Sequence, residues 1–298
     1  MKKTWLVFAL LVCFFKTESY AGNTEKAIFN SDSSATKTNK NRLRFALKYS
    51  SANTFYGRKD SVSIPVLSPS LKFTSSTNFF LRTALVHTNT TSKVFDELDL
   101  ELGYRHFFGD RLDASVSYTR MFFSKNVSRL NSVANNDINL YLGYDLDLLY
   151  SGLSFNYTSG SQTVKTKLPP NKKPPKNNNP TTTLITAKDY TITWMNSKDL
   201  FLYELLSLDD KLIITPEVDL IFGTQNGIQV YRKKETVQAP ASSFNIKAFD
   251  LSLNLRYVFK NLTLNITPDY TIPVNVPTGD YSSPYFVFYG GIYYNLNF

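Results

Sequence analysis

The sequence predicts an all-β fold, a transmembrane antiparallel up-and-down β-barrel of twelve strands, with ten or fourteen as the alternative counts. Three observations lead there. The chain begins with an export signal, long stretches alternate apolar and polar residues, and the connections are short at one end of the strands and long at the other.

Lys2 and Lys3 form a positive start, Trp5 to Phe15 an apolar run, and Ser19-Tyr20-Ala21 a small-residue cleavage site. The apolar run falls short of the ~20 residues of a spanning helix. Cys13 raises the alternative of a lipid anchor, but Val12 is too large for the position before a lipidated cysteine. The expected division is a signal peptide over 1–21, a flexible periplasmic segment over 22–41 rich in Asn, Ser, Thr and Lys, and a barrel over 42–298. Cleavage after Ala21 leaves no cysteine, which excludes a disulfide framework, a thiol nucleophile and a thiolate metal site. It also removes three lysines and one glutamate, so the formal net charge falls from +9 to +7. For an exported protein that excess suits anionic lipid headgroups better than nucleic acid.

No later apolar run approaches 18 residues, so spanning helices are excluded. The 19 tyrosines and 23 phenylalanines suit strands and membrane-interface girdles. Alternation places strands near 43–56, 62–74, 77–88, 95–107, 111–123 and 136–148, then 151–165, 184–196, 211–223, 244–259, 261–275 and 285–298. In the sixth, Ile138, Leu140, Leu142, Tyr144, Leu146 and Leu148 share one face, against Asn139, Tyr141, Gly143, Asp145 and Asp147. A sandwich also alternates, but its strands are shorter, and central charges on each polar face fit a wet lumen. Connections after even-numbered strands are mostly tight and those after odd-numbered strands mostly long, the pattern of periplasmic turns and outer loops. Ser197 to Leu208 breaks the scheme and reads equally as a short amphipathic helix or a strand extension. Pro268, interior to the eleventh strand, predicts a bulge; Pro273 and Pro277 fall near its outer rim.

The chain ends Tyr293-Tyr294-Asn295-Leu296-Asn297-Phe298, which resembles the C-terminal signal of outer-membrane proteins. That resemblance implies an outer-membrane location in a Gram-negative bacterium and makes Tyr294, Leu296 and Phe298 the assembly signal read by the barrel-assembly machinery. Residues 211–298 carry Thr215-Pro216, Gly223-Thr224-Gln225 and a Pro268-x-Tyr270-x-x-Pro273-x-Asn275-x-Pro277 run. They resemble a family of poorly characterised, porin-like outer-membrane β-barrel proteins of the Bacteroidota type, which brings no established activity.

Glu97, Asp99, Glu101, Asp145, Asp147, Glu217, Asp219, Asp250 and Asp269 are expected to line the lumen, with Arg44, Lys48, Arg105, Arg111 and Arg256. They form either a neutralising filler or a charged lining that selects solutes. Twelve strands fall between filled eight-stranded and open sixteen-stranded barrels, and a narrow or filled lumen is the favoured reading. Lys165, Lys167, Lys172, Lys173 and Lys176, joined by Arg232, Lys233 and Lys234, make a basic patch on outer loops. That patch is a soluble spacer or a contact for lipopolysaccharide phosphates.

No Gly-rich phosphate loop or metal-ligand spacing is present, so no cofactor and no metal are expected. Neither His87 nor His106 has the carboxylate two residues earlier that an Asp-x-His unit requires. A lipid hydrolase using His87, with Ser92 nearby, is the catalytic alternative; His106 reads as an interface residue. The leading expectation is a porin-like or surface-binding barrel without catalysis, and the third reading is a structural or adhesive barrel with a closed lumen. Expected partners are outer-membrane lipid and lipopolysaccharide, the assembly machinery, and a small solute or anionic surface partner, but no nucleic acid.

Overall fold

A computed structural model describes residues 40–55, 57–59, 64–88, 95–124, 135–166, 181–224, 229–232, 235–237, 243–276 and 283–298. The expected signal peptide and most of the lead-in therefore lie outside the described residues. Twelve long strands follow in order: β1 Arg42–Ser50, β2 Val66–Thr74, β3 Phe79–Thr88, β4 Glu97–Phe108, β5 Leu112–Phe123, β6 Asn136–Asp145, β7 Tyr150–Thr166, β8 Thr181–Ser197, β9 Asp210–Gly223, β10 Asn245–Phe259, β11 Leu262–Pro273 and β12 Tyr285–Asn297. Each pairs antiparallel with its sequence neighbours, and β1 pairs with β12 from Arg42↔Asn297 to Ser50↔Tyr289, so the ring is closed. The expected count of twelve is the observed one. Closure leaves no open edge in the ring, which is how a barrel satisfies its backbone without water.

One end of the barrel carries the short turns between β2–β3, β4–β5, β6–β7, β8–β9 and β10–β11; the other carries the longer connections. Every short turn contains one residue in the left-handed region: Asn78, Gly109, Asp147, Glu204 and Lys260. That conformation lets two strands reverse within a few residues.

Within Ser197–Leu208, Leu200–Tyr203 is a strand extension and the residues from Glu204 on form the turn; there is no helix. Leu200–Tyr203 pairs with β9 from Leu200↔Ile214 to Tyr203↔Lys211, in the register β8 already holds at Ser197↔Glu217. The interruption falls opposite Pro216, which accepts from the Lys198 N–H at 3.3 Å but has no N–H to return. Pro268 behaves in the same way. Ser252↔Asp269 and Leu255↔Ile266 keep one register across it, so the expected bulge is absent and one side of the ladder simply skips a bond. The ring's irregularity lies instead between Ile221 and Phe222 opposite Ala248 and Ile246, with no proline involved.

Period-two alternation sets the two faces of the wall. Leu100, Leu102, Leu140, Leu142, Leu251, Leu253, Leu264, Ile266 and Ile292 are exposed on the outside, while the intervening polar residues are buried inside. Aromatic pairs bound this apolar belt: Phe79–Tyr104 at the turn end (4.7 Å between ring centroids), and Tyr157–Tyr190 (5.0 Å) and Tyr270–Phe286 (4.6 Å) at the loop end.

At the loop end β7 and β8 continue beyond the ring, paired as far as Thr166↔Thr181, and Gln229–Arg232 adds to β8 at Leu184–Thr186. The segment after β1 does the opposite. It makes a small hairpin, Thr54–Phe55 with Arg58–Lys59, and folds inward.

Candidate functional site: the barrel interior

Arg44, Lys48, Glu97, Asp99, Glu101, Asp145, Glu217, Asp219, Asp250, Arg256 and Asp269 are all buried on inward-facing positions, each below a tenth exposed. Arg105 also faces inward and is partly buried. Two expectations fail. Arg111 and Asp147 sit in turns and form an exposed ion pair with each other at 3.0 Å, outside the lumen. The reason is local: the β6–β7 turn begins at Leu146, with Asp147 at φ 67°, so the strand ends before its alternation would place Asp147 inside.

The turn half of the interior is paired. Arg82, contributed by β3, donates to Glu101 on the next strand at 2.6 Å, with both side chains buried. Arg105 reaches Asp113 through two nitrogens at 2.6 and 3.1 Å, and Asp113 also accepts from the Tyr150 hydroxyl at 2.7 Å. Tyr150 shares a 2.5 Å hydrogen bond with Tyr141, and these two rings pack on Met195. Arg256 lies 3.6 Å from Asp199, which also accepts from the Thr215 hydroxyl. Glycines make room for the rings: a Cβ on Gly143 would overlap the Tyr150 hydroxyl, and one on Gly103 would overlap the Phe80 ring. Aromatic and guanidinium groups thus fill this level. Hydrogen-bonded networks such as Arg105–Asp113–Tyr150–Tyr141 rigidify an interior.

The loop half is acidic. Glu97 and Asp99 of β4 and Glu217, Asp219, Asp250 and Asp269 of β9 to β11 are buried there, with Lys48 and Lys247 as the buried cations among the described residues. Asp219 lies directly opposite Asp250 in the β9–β10 register. Like charges so placed are destabilising unless their surroundings compensate.

Above the acids the segment after β1 folds into the barrel. Ala52 and Asn53 are buried, and Ala52 packs with Tyr285 and Val287. Thr54 hydrogen-bonds Tyr289 at 3.2 Å. Gly57 reaches β10, three strands round the ring from β1, where an added Cβ would stand 2.5 Å from that of Ala248. Its φ of +79° is a second reason why glycine fits there. Nothing in the local sequence pattern announces this segment's path. Sequence reasoning also misses Arg82, Asp113, Tyr141 and Tyr150 as interior residues that act together. Tyr141 beside Gly143 on a polar face is the one available signal.

His87 points outward from β3, opposite Leu67, and its Nδ1 has no hydrogen-bond partner among the described residues. Ser92 lies outside them. His106 sits in the turn-end aromatic band, 3.1 Å from the Tyr104 hydroxyl and edge-on to Phe108 at 4.4 Å. Tyr294, Leu296 and Phe298 face outward at the closing strand, and Phe298 exchanges backbone hydrogen bonds with Asn41 at 3.0 Å. Of the basic patch, Lys165 and Arg232 lie in described strands without described side chains; Lys167, Lys172, Lys173, Lys176, Lys233 and Lys234 lie outside the described residues.

No family model matches this chain, and no curated protein matches it. Among solved structures it is similar to the NanC porin, with a TM-score of 0.42 and 12% identity over 85% of this chain and 100% of that one. It is similar also to a deltaS2S3 mutant of the TodX monoaromatic hydrocarbon channel (0.40, 12%, over 95% and 100%). A third is an outer membrane channel from Pseudomonas putida F1 (0.40, 10%, over 86% and 94%). Likenesses this distant carry no argument about function, which rests on the geometry above.

Proposed function

We propose that this protein spans the outer membrane of a Gram-negative bacterium and is a porin-like barrel whose narrow, normally shut lumen favours small cations. Membrane insertion is supported by the closed ring, its exposed apolar belt between aromatic bands, and the buried polar interior, the reverse of a soluble protein's arrangement. On this reading the turn end is periplasmic and the loop end faces outward.

The observation that carries the role is the separation of charge along the axis. A barrel that only needed filling would gain most from balanced charges throughout, as its turn half has. The loop half instead concentrates Glu97, Asp99, Glu217, Asp219, Asp250 and Asp269, a lining that lowers the energy of a cation and raises that of an anion. The inward path of the segment around Gly57, which reaches Ala248 and Ile221, supports the shut state of the lumen above that lining. The porin-like family resemblance of residues 211–298 is in keeping with this reading, which involves no catalysis.

The buried interior also favours a second reading, a structural or adhesive barrel that never conducts. Refolded protein in planar bilayers separates the two. The proposal expects brief openings whose reversal potential in a salt gradient is cation-selective; silence under all voltages, from protein shown to be inserted, supports the structural reading.

A further inference from the structure

The outward faces of β5 to β8 carry a feature that neither lumen nor loops account for. Arg120 pairs with Asn136, Asn136 with Ser159, and Ser159 with Lys188, so these four form one lateral row across four strands. The row below it is Tyr118, Ile138, Tyr157 and Tyr190, the loop-end aromatic band. Both rows share the parity of Tyr118 and Tyr190, which are exposed, and Lys188 is exposed as well. A polar row standing directly on an aromatic band occupies the level of lipid headgroups.

The row is organised. Arg120 Nη1 donates to Asn136 Oδ1 at 2.6 Å, and the Tyr118 hydroxyl donates to the same oxygen at 2.8 Å. Asn136 Nδ2 donates to the Ser159 carbonyl at 3.2 Å and to Asn135 Oδ1 at 2.9 Å, and the Arg120 guanidinium lies 5.6 Å from the Phe122 ring. The guanidinium is thereby fixed on the outer surface instead of trailing in solvent. Its remaining fork geometry is the one that suits phosphate oxygens. The outward loop-end positions of β1 to β3 and β9 to β12, among the described residues, are Tyr49, Leu67, Leu85, His87, Phe222, Phe249, Ile272 and Phe286, and include no lysine or arginine.

We infer that this row is a binding site for a phosphorylated glycolipid of the outer leaflet, an inference that rests on the membrane-spanning reading. Three strand intervals separate Arg120 from Lys188, roughly 14 Å. Two cations so spaced, with the Ser159 hydroxyl between them, match a ligand with two separated phosphates joined by hydroxylated sugars. A glycerophospholipid, with a single phosphate, engages only one end. Phosphates take the cations, which Asn136 helps to position, sugar hydroxyls take Ser159, and acyl chains lie along Tyr118, Tyr157 and Tyr190.

Refolded protein in detergent, titrated with bisphosphorylated lipid A and read by native mass spectrometry, tests this. The expected result is a one-to-one adduct that R120Q/K188Q weakens roughly tenfold or more, since hydrogen bonds to charged groups are involved. Fully dephosphorylated lipid A is expected to give no adduct and phosphatidylglycerol a markedly weaker one. An S159E variant, placing a carboxylate between the cations, is expected to weaken binding as well. Equal binding by R120Q/K188Q, equal binding of the dephosphorylated lipid, or phosphatidylglycerol bound as tightly would each overturn the inference. Protein that folds and inserts into liposomes but fails these tests refutes this site alone; protein that cannot insert refutes the membrane reading beneath it.

Discussion

In the turn half of the interior, Arg82 meets Glu101 and Arg105 meets Asp113, each at 2.6 Å, and Tyr150 completes the second pair. In the loop half, Asp219 faces Asp250 on the neighbouring strand, and Lys48 and Lys247 are the buried cations among the described residues. Both halves bury charge in the same ring, so desolvation does not distinguish them. What differs is the balance of signs. The turn half matches carboxylates with guanidinium groups and gains rigidity. Among the described side chains the loop half carries an excess of carboxylates, the lining from which the proposed preference for cations is argued.

Substitutions with opposite signs in the two halves sharpen this contrast. The largest effect is expected from Arg82→Ala, which leaves Glu101 buried without the guanidinium it holds. Breaking one partner of a buried pair costs about 3–5 kcal/mol. Urea titration of the folded barrel in lipid vesicles, followed by tryptophan fluorescence, measures it, and Arg82→Ala/Glu101→Gln should recover a large part of the loss. A loss no larger than that of an exposed pair such as Arg111–Asp147 would mean that the turn half is not rigidified by its pairs.

A smaller loss is expected from Gly143→Ala, because the new methyl would overlap the Tyr150 hydroxyl. Overpacking of this kind costs about 1–3 kcal/mol. Adding Tyr150→Ser to Gly143→Ala removes the closest overlap and leaves only the Tyr141 hydroxyl, 2.6 Å away, to shift, so the double variant should be less impaired than the sum of the two single changes. Strict additivity would show that glycine is not there to seat the ring.

The smallest effect, and the opposite sign, is expected from Asp250→Asn. It removes one of two carboxylates facing each other across neighbouring strands and should leave stability unchanged or raise it by up to about 1 kcal/mol. The same substitution should reduce cation preference in bilayer recordings. A destabilisation as large as that of Arg82→Ala would give Asp250 the same role as Glu101 and remove the difference between the halves.

Much of this architecture is legible in the sequence, because the period of a strand's side chains is two and each strand is long enough to show it. The run from Ile138 to Leu148 is one instance, and Leu98 to Tyr104 and Leu251 to Phe259 equally declare an apolar and a polar face. Periodicity alone does not say where a strand stops, so it assigns Asp147 to the interior although a left-handed turn carries it outside. Nor does it say which inward residues share a level. Arg82 and Glu101 become neighbours through the β3–β4 register, and the division into paired and acidic halves exists only once all twelve registers are known. Arg120 and Lys188 are visible in the sequence as charges on otherwise apolar faces, but their alignment in one row depends on three successive strand pairings. The inward path of the segment after β1 depends on a contact with Ala248, far along the chain, and no local pattern encodes it.

The central claim is that the acidic half is a cation-favouring passage shut by the segment around Gly57, and it is tested most directly by deleting residues 53–59 and recording single-channel current in planar bilayers under a salt gradient. The wild type is expected to be closed for most of the record, and the deletion to conduct steadily with a reversal potential on the cation-selective side. A wild type that is already open, a deletion that remains silent although inserted, or an anion-selective current would contradict the claim.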